Sequence, residues 1–156
     1  MMHLSCVQQY LNDDWLSYLY KKCPHQTQEE TLRQTEECLR FLSLTHLAFG
    51  NIPVNQKIDD IWHLLILETE AYAALCYALP GKAFIHHTSD DFPSTSKPET
   101  AAETAKRQLE WLVNYIHHFG PLNEEMIQYW PFARTLMAKL KLSIDDFSEK
   151  LLALKG

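Results

Sequence analysis

Four side chains in the middle of the chain could hold a metal ion. Asp59 and His63 lie four residues apart inside the most apolar run of the sequence, and a His86-His87 pair follows shortly after that run ends. Read as a helix from Ile58 to Leu79, the run brings Asp59, His63, Glu70 and Tyr77 within roughly 40° of one another, at about 100° per residue. Residues four apart on a helix share a face. An aspartate and a histidine so placed can ligate one ion, or the carboxylate can orient the imidazole. The pair also has a purely structural use. Asp59 suits the positive N-terminal end of a helix, with His63 as its hydrogen-bond partner.

Whether the His pair can reach Asp59 and His63 is a question of length. His63 lies sixteen residues before Leu79, about 24 Å along a helix axis. The seven residues from Leu79 to His86 span at most about 23–25 Å. The pair therefore returns to His63 only if the segment folds straight back. His117 and His118 compete for the same place, because an antiparallel helix ending there would lie near the start of the Ile58–Leu79 helix. Adjacent helical residues diverge by about 100°, so normally only one of those two faces inward. A terminal histidine also suits the negative end of a helix.

Other chemistries find little support. The chain has no G-x-S-x-G, no H-E-x-x-H and no phosphate-cradling glycine loop. Glu36 and Glu37 lack a matched E-x-x-H, which disfavours a di-iron carboxylate bundle. Cys6, Cys23, Cys38 and Cys76 form no C-x-x-C pair, which argues against thiolate zinc and thioredoxin-type sites. Cys76 sits in apolar surroundings that suit an inert buried thiol.

The elements that must position these groups read as helices throughout. Only four glycines are present, and no segment alternates polar and apolar residues for long. The expected fold is all-α, a single domain of about six helices covering residues 1–156. The first helix runs from about Leu4 to Lys21 and ends before Pro24. The second starts at the capping box Thr27-Gln28-Glu29-Glu30, and Gly50 and Pro53 close it. A buried central helix covers about 56–79, with Asn55 as its N-cap. It is apolar nearly all round, as a buried helix should be. Pro80-Gly81 stops it. Residues 82–97 form a long loop, of the kind that is usually functional or mobile. Ser96-Lys97-Pro98-Glu99 reads as a capping box for a helix from Pro98 to Phe119. Short helices follow Asn123, cover Phe132 to Leu140 and begin at Ser143.

Composition bounds the function. The 156 residues are 46% hydrophobic and 22% charged, with a net charge of −6. That is an ordinary globular make-up. It argues against nucleic acid and anionic membranes as partners. Ile61–Leu79 approaches the length of a membrane span but carries His63, Glu68 and Glu70, so it reads as protein core. No signal peptide is visible at the start. The expected setting is the reducing cytoplasm, with free thiols.

The ordered string IDDIWHLLILETEAYAALC followed by AFIHH resembles the motif block of the glycine-rich domain-containing protein-like family, a domain of unknown function. That block carries Asp-x-x-Trp-His, often a second His two residues on, then a Thr or Pro, a Tyr, a Cys, an aromatic residue and one or two His. Asp59, Trp62, His63, Thr69, Tyr72, Cys76, Phe84, His86 and His87 stand at those places, and Leu65 stands where many members have the second His. The upstream stretch CLRFLSLTHLAFGNIPVNQK is similar to the family's lead-in, so the resemblance covers about Cys38 to Gly120. It implies an all-helical domain in which Asp59, His63 and His86/His87 belong together beneath a folded-back loop. It brings no established activity.

Two functional expectations follow. In the first, the protein is a small helical metal-binding protein, an enzyme or not. Asp59, His63 and one or both of His86 and His87 ligate iron or zinc, which suit a mixed His/carboxylate set better than calcium or magnesium does. Residues 82–97 would close over that metal site. In the second, the protein is an interaction module for a partner protein, and Asp59, His63 and His86 form a buried polar network that pins the loop to the core. Apart from both expectations, Trp62, Tyr72 and Phe84 could line a small-molecule pocket without metal.

Overall fold

Short polar side chains set where most of the helices begin. The computed structural model describes residues 5–48, 52–87 and 98–154. In chain order its helices are α1 Cys6–Tyr10, α2 Asp13–Lys22, α3 Gln28–Leu44, α4 Gln56–Leu67, α5 Thr69–Ala78, α6 Ala101–Phe119, α7 Glu124–Ile127, α8 Pro131–Leu140 and α9 Ile144–Ala153, with a 3-10 turn at Thr45–Leu47. The described residues contain no strand, so the chain is all-α as expected. Ser5, Asn12, Thr27, Asn55, Thr100, Asn123 and Ser143 each accept a first-turn backbone N–H. These are donors that no intrahelical carbonyl can satisfy.

Two of the expected helices are each broken in two, which brings the count among the described residues to nine. Asn12 splits the first by capping the Trp15 N–H at 3.0 Å. The second break falls inside the expected central helix, at Glu68, whose backbone leaves helical geometry at φ −90°, ψ 73°. No proline or glycine marks that point. Tertiary bonds hold the bend instead. The Leu64 carbonyl, one turn earlier, accepts from the Tyr18 hydroxyl of α2 at 2.8 Å. Two turns later, Tyr72 of α5 accepts from the Trp62 indole N–H of α4 at 3.0 Å.

The expectation of a buried central helix over 56–79 is also corrected. Leu67 is 69% exposed and Tyr77 57%, so this pair of helices lies on the surface with one face inward. The hub is α3, which packs against α1, α2, α4 and α6. Cys38, Leu39 and Leu42 of α3 are fully buried. Its buried hydroxyls bond within the helix, Thr35 to the Thr31 carbonyl and Ser43 to the Leu39 carbonyl, both at 2.7 Å. Gln34 donates to the Lys57 carbonyl at 2.7 Å and so ties α3 to the first turn of α4.

The buried apolar residues form one connected cluster. Its aromatic centre joins Phe41 to Trp62 at 5.4 Å, Phe41 to Trp130 at 6.0 Å and Trp111 to Trp130 at 4.7 Å between ring centroids. Trp62 thereby anchors the α4 turn that carries Asp59 and His63. The helix expected from Pro98 begins three residues later. Helix α6 starts at Ala101, and the Thr100 hydroxyl accepts from the Glu103 N–H at 3.1 Å. Ser96, Lys97 and most of the expected 82–97 loop lie outside the described residues. No described helix is long and apolar enough to cross a membrane.

Candidate metal centre

The turn after α5 sends the chain back toward α4. Gly81 and Lys82 both have positive φ, 95° and 46°, which reverses the backbone. Gly81 suits that region at no steric cost, and Lys82 tolerates it as a turn residue. Gly81 also lies against His46 of the 3-10 turn. A Cβ at Gly81 would stand 2.7 Å from the His46 Cβ.

The returning segment is then fastened to α5 and α4 in sequence. The Ile85 N–H donates to Cys76 Sγ at 3.5 Å, and the Ile85 carbonyl accepts from the Tyr72 hydroxyl at 2.5 Å. Burial pushes the Tyr72 phenol up, so the hydroxyl keeps the proton it donates. The Phe84 ring stands edge-on to Tyr72 at 5.4 Å. The His87 ring meets Trp62 at 4.3 Å. Trp62, Tyr72 and Phe84, expected to line a pocket, thus serve as the seat of the returning chain. Trp62 and Tyr72 are buried, and Phe84 is exposed.

This seat delivers His87 to the α4 pair. The His87 Nε2 bonds Asp59 Oδ1 at 2.6 Å, and His63 Nδ1 stands 3.4 Å from Asp59 Oδ2. The two imidazole rings lie 4.6 Å apart. One ligand atom from each of Asp59, His63 and His87 falls within 4.8 Å of the other two. Ligands of an ion bound at about 2.1 Å lie no more than about 4.2 Å apart, so a small closing motion would bring all three onto one metal. The side chains of Asp59 and His87 are mostly covered, while that of His63 is 55% exposed. Solvent therefore reaches the cluster from the His63 side.

The remaining expected residues sit elsewhere. His86 is exposed, and its ring packs on Phe84 at 4.7 Å. Neighbouring residues of a non-helical segment diverge, so bringing His87 to Asp59 turns His86 away. His117 and His118 are also exposed and bond carbonyls, His117 that of Leu154 at 2.6 Å and His118 that of Asn114 at 2.7 Å. Cys38 has its thiol pushed up by burial and by the Asp59 charge, so it stays a neutral core group.

A second polar constellation was not expected from the sequence. Glu37 of α3 is only 4% exposed and accepts from the Tyr115 hydroxyl at 2.5 and 2.7 Å. Arg40 donates to that hydroxyl at 2.9 Å and to Glu36 at 2.9 Å. The signal lay in spacing. Gln34, Glu37, Phe41 and Leu44 recur at three and four residues, which puts Glu37 on the buried stripe.

In comparisons with known proteins, no family model, no curated protein and no solved structure matches the chain.

Proposed function

We propose that the protein binds a transition metal, zinc(II) or iron(II), through Asp59, His63 and His87. The observation that supports this most is the convergence of three ligand atoms within 4.8 Å, from one helix and from a segment twenty-four residues downstream. Two imidazoles and a carboxylate on one side of an ion leave positions open, which suits water activation by zinc or oxygen chemistry by iron. The exposed His63 side gives a co-ligand its way in. Kinship with the glycine-rich domain-containing protein-like family is part of the same proposal and rests on the ordered motif from Asp59 to His87.

A second reading has an observation of its own. The 2.6 Å bond between Asp59 and His87 is complete without an ion, and it already pins the returning segment to α4. The cluster would then be a structural latch on a surface that serves a partner protein. Elemental analysis of the purified protein separates the two, together with Zn(II) and Co(II) titrations. Under the metal reading, His63→Ala and His87→Ala each weaken binding by more than the roughly 100-fold that loss of a supporting contact costs, while His86→Ala does not. No bound metal and no saturable titration in the wild type would end the metal reading. If His87→Ala then lowers the melting temperature, the latch is supported.

A further inference from the structure

Apart from the Asp59 cluster, and sharing none of its residues, a cleft of about 560 Å³ opens between α1, α3 and α7. That is the size of small-molecule sites. Val7, Leu32, Met126 and Tyr129 give it apolar walls, and Glu36, Glu37 and Arg40 line it as well.

The charges of this cleft do not balance. Arg40 Nε pairs with Glu36 at 2.9 Å, and Arg40 Nη1 stands 3.5 Å from Glu37. One cation thus serves two carboxylates whose side chains are only 16% and 5% exposed. Arg33, the other cation of the cleft, is committed to Glu29 at 2.6 Å and Glu125 at 3.5 Å. Buried charge without a counter-charge is costly. The Trp130 indole N–H, fully buried, lies against the Glu37 carboxyl and, with the Tyr115 hydroxyl, favours its ionised form. Burial pushes the Glu37 carboxyl up from 4.5 to about 7, so a proton fills the deficit in acid and leaves it open at higher pH.

The chemistry of the lining selects what could fill it. An anion would have to displace a glutamate from Arg33 or Arg40. A metal ion finds no ligand set. The Glu36 oxygens already accept the Cys6 and Val7 N–H groups at 3.1 and 3.0 Å, and the Asp59 cluster is the only group with metal spacing among the described residues. Apolar walls and the Tyr129 ring suit an organic body, and a desolvated ammonium gains from an aromatic face. We propose that the cleft is a second binding site, which takes a small organic cation: a protonated amine on an apolar or aromatic body, its ammonium group paired with Glu37.

The test uses 2-phenylethylamine as probe, with neutral 2-phenylethanol and anionic 3-phenylpropanoate as comparators. Binding is read by calorimetry and by indole fluorescence at about pH 8, where Glu37 is ionised. The expected result is saturable binding of the amine, at least roughly tenfold tighter than either comparator, as charge pairing in a covered site allows. Glu37→Gln should bring the amine down to the level of the alcohol and leave the alcohol unchanged. Met126→Trp fills the cleft from a partly exposed wall, so it tests the location even if Glu37→Gln fails to fold. It should abolish binding of the amine. Absence of saturation by the amine would overturn the proposal, as would equal binding of the comparators, a charge preference that survives Glu37→Gln, or amine binding that survives Met126→Trp.

Discussion

Glu37 places a carboxyl group in the interior, and burial raises its pKa from 4.5 to about 7. The neighbours facing it are Arg40 and Glu36 on its own helix, Tyr115 on α6, and Trp130 and Tyr129 just before α8. Between those two pH values the folded protein binds more protons than the unfolded chain, so stability falls as pH rises. The contribution is complete below about pH 4.5 and lost as pH passes about 7. Urea unfolding should therefore show a lower midpoint at pH 7.5 than at pH 5, roughly flat below the unfolded value, and Glu37→Gln should remove most of that slope. Asp59 and His63 were legible because helical spacing alone unites them. His87 could be told from His86 only by knowing which way the returning backbone turns. The burial of Glu37 follows from helical spacing, but its partner Tyr115 lies seventy-eight positions away, beyond the reach of any local pattern.

At the level of elements, the capped starts of α3, α4, α7 and α9 were legible, since Thr27, Asn55, Asn123 and Ser143 act within three residues of themselves. The break at Glu68 was not. Its causes are the Tyr18 hydroxyl on the Leu64 carbonyl and the Trp62–Tyr72 bond, and such contacts override helix propensity without leaving a mark in the local sequence. The helix stop at Pro80-Gly81 is legible, and the reversal there and its closeness to His46 are not. Gly81→Ala meets both obstacles, a left-handed φ of 95° and a 2.7 Å approach to the His46 Cβ. We expect it to cost about 1–3 kcal/mol in chemical denaturation. Because the turn aims His87, the same substitution should weaken metal binding under the proposed reading while leaving the α4 pair intact. A substitution of equal cost elsewhere in the core should not.

For the molecule as a whole, the all-α fold followed from the scarcity of glycine and the helical spacing of apolar residues. Which helix sits at the centre did not. The apolar run at 58–79 is nearly continuous, yet Leu67 and Tyr77 point outward. The more polar α3 is the true hub, since Gln34, Thr35, Glu37 and Ser43 are buried with bonds to other groups. If the Asp59 cluster binds metal only when folded, zinc at about a hundred times its dissociation constant should stabilise the protein by about 2.7 kcal/mol. The melting temperature should rise with metal concentration, and the rise should vanish in His87→Ala. An unchanged melting temperature across a saturating titration would count against coupling between ion and fold.

The bend at Glu68 has a further meaning for such a cluster. Between His63 and His87 the chain leaves, turns twice and comes back to its point of departure. Two donors ride on a single helical turn and stay neighbours even in a frayed domain. The third arrives only when the whole excursion has closed. Under the proposed metal reading, grip on an ion would therefore have a chelate character, in which the effective concentration of the last imidazole gauges how completely that circuit has shut.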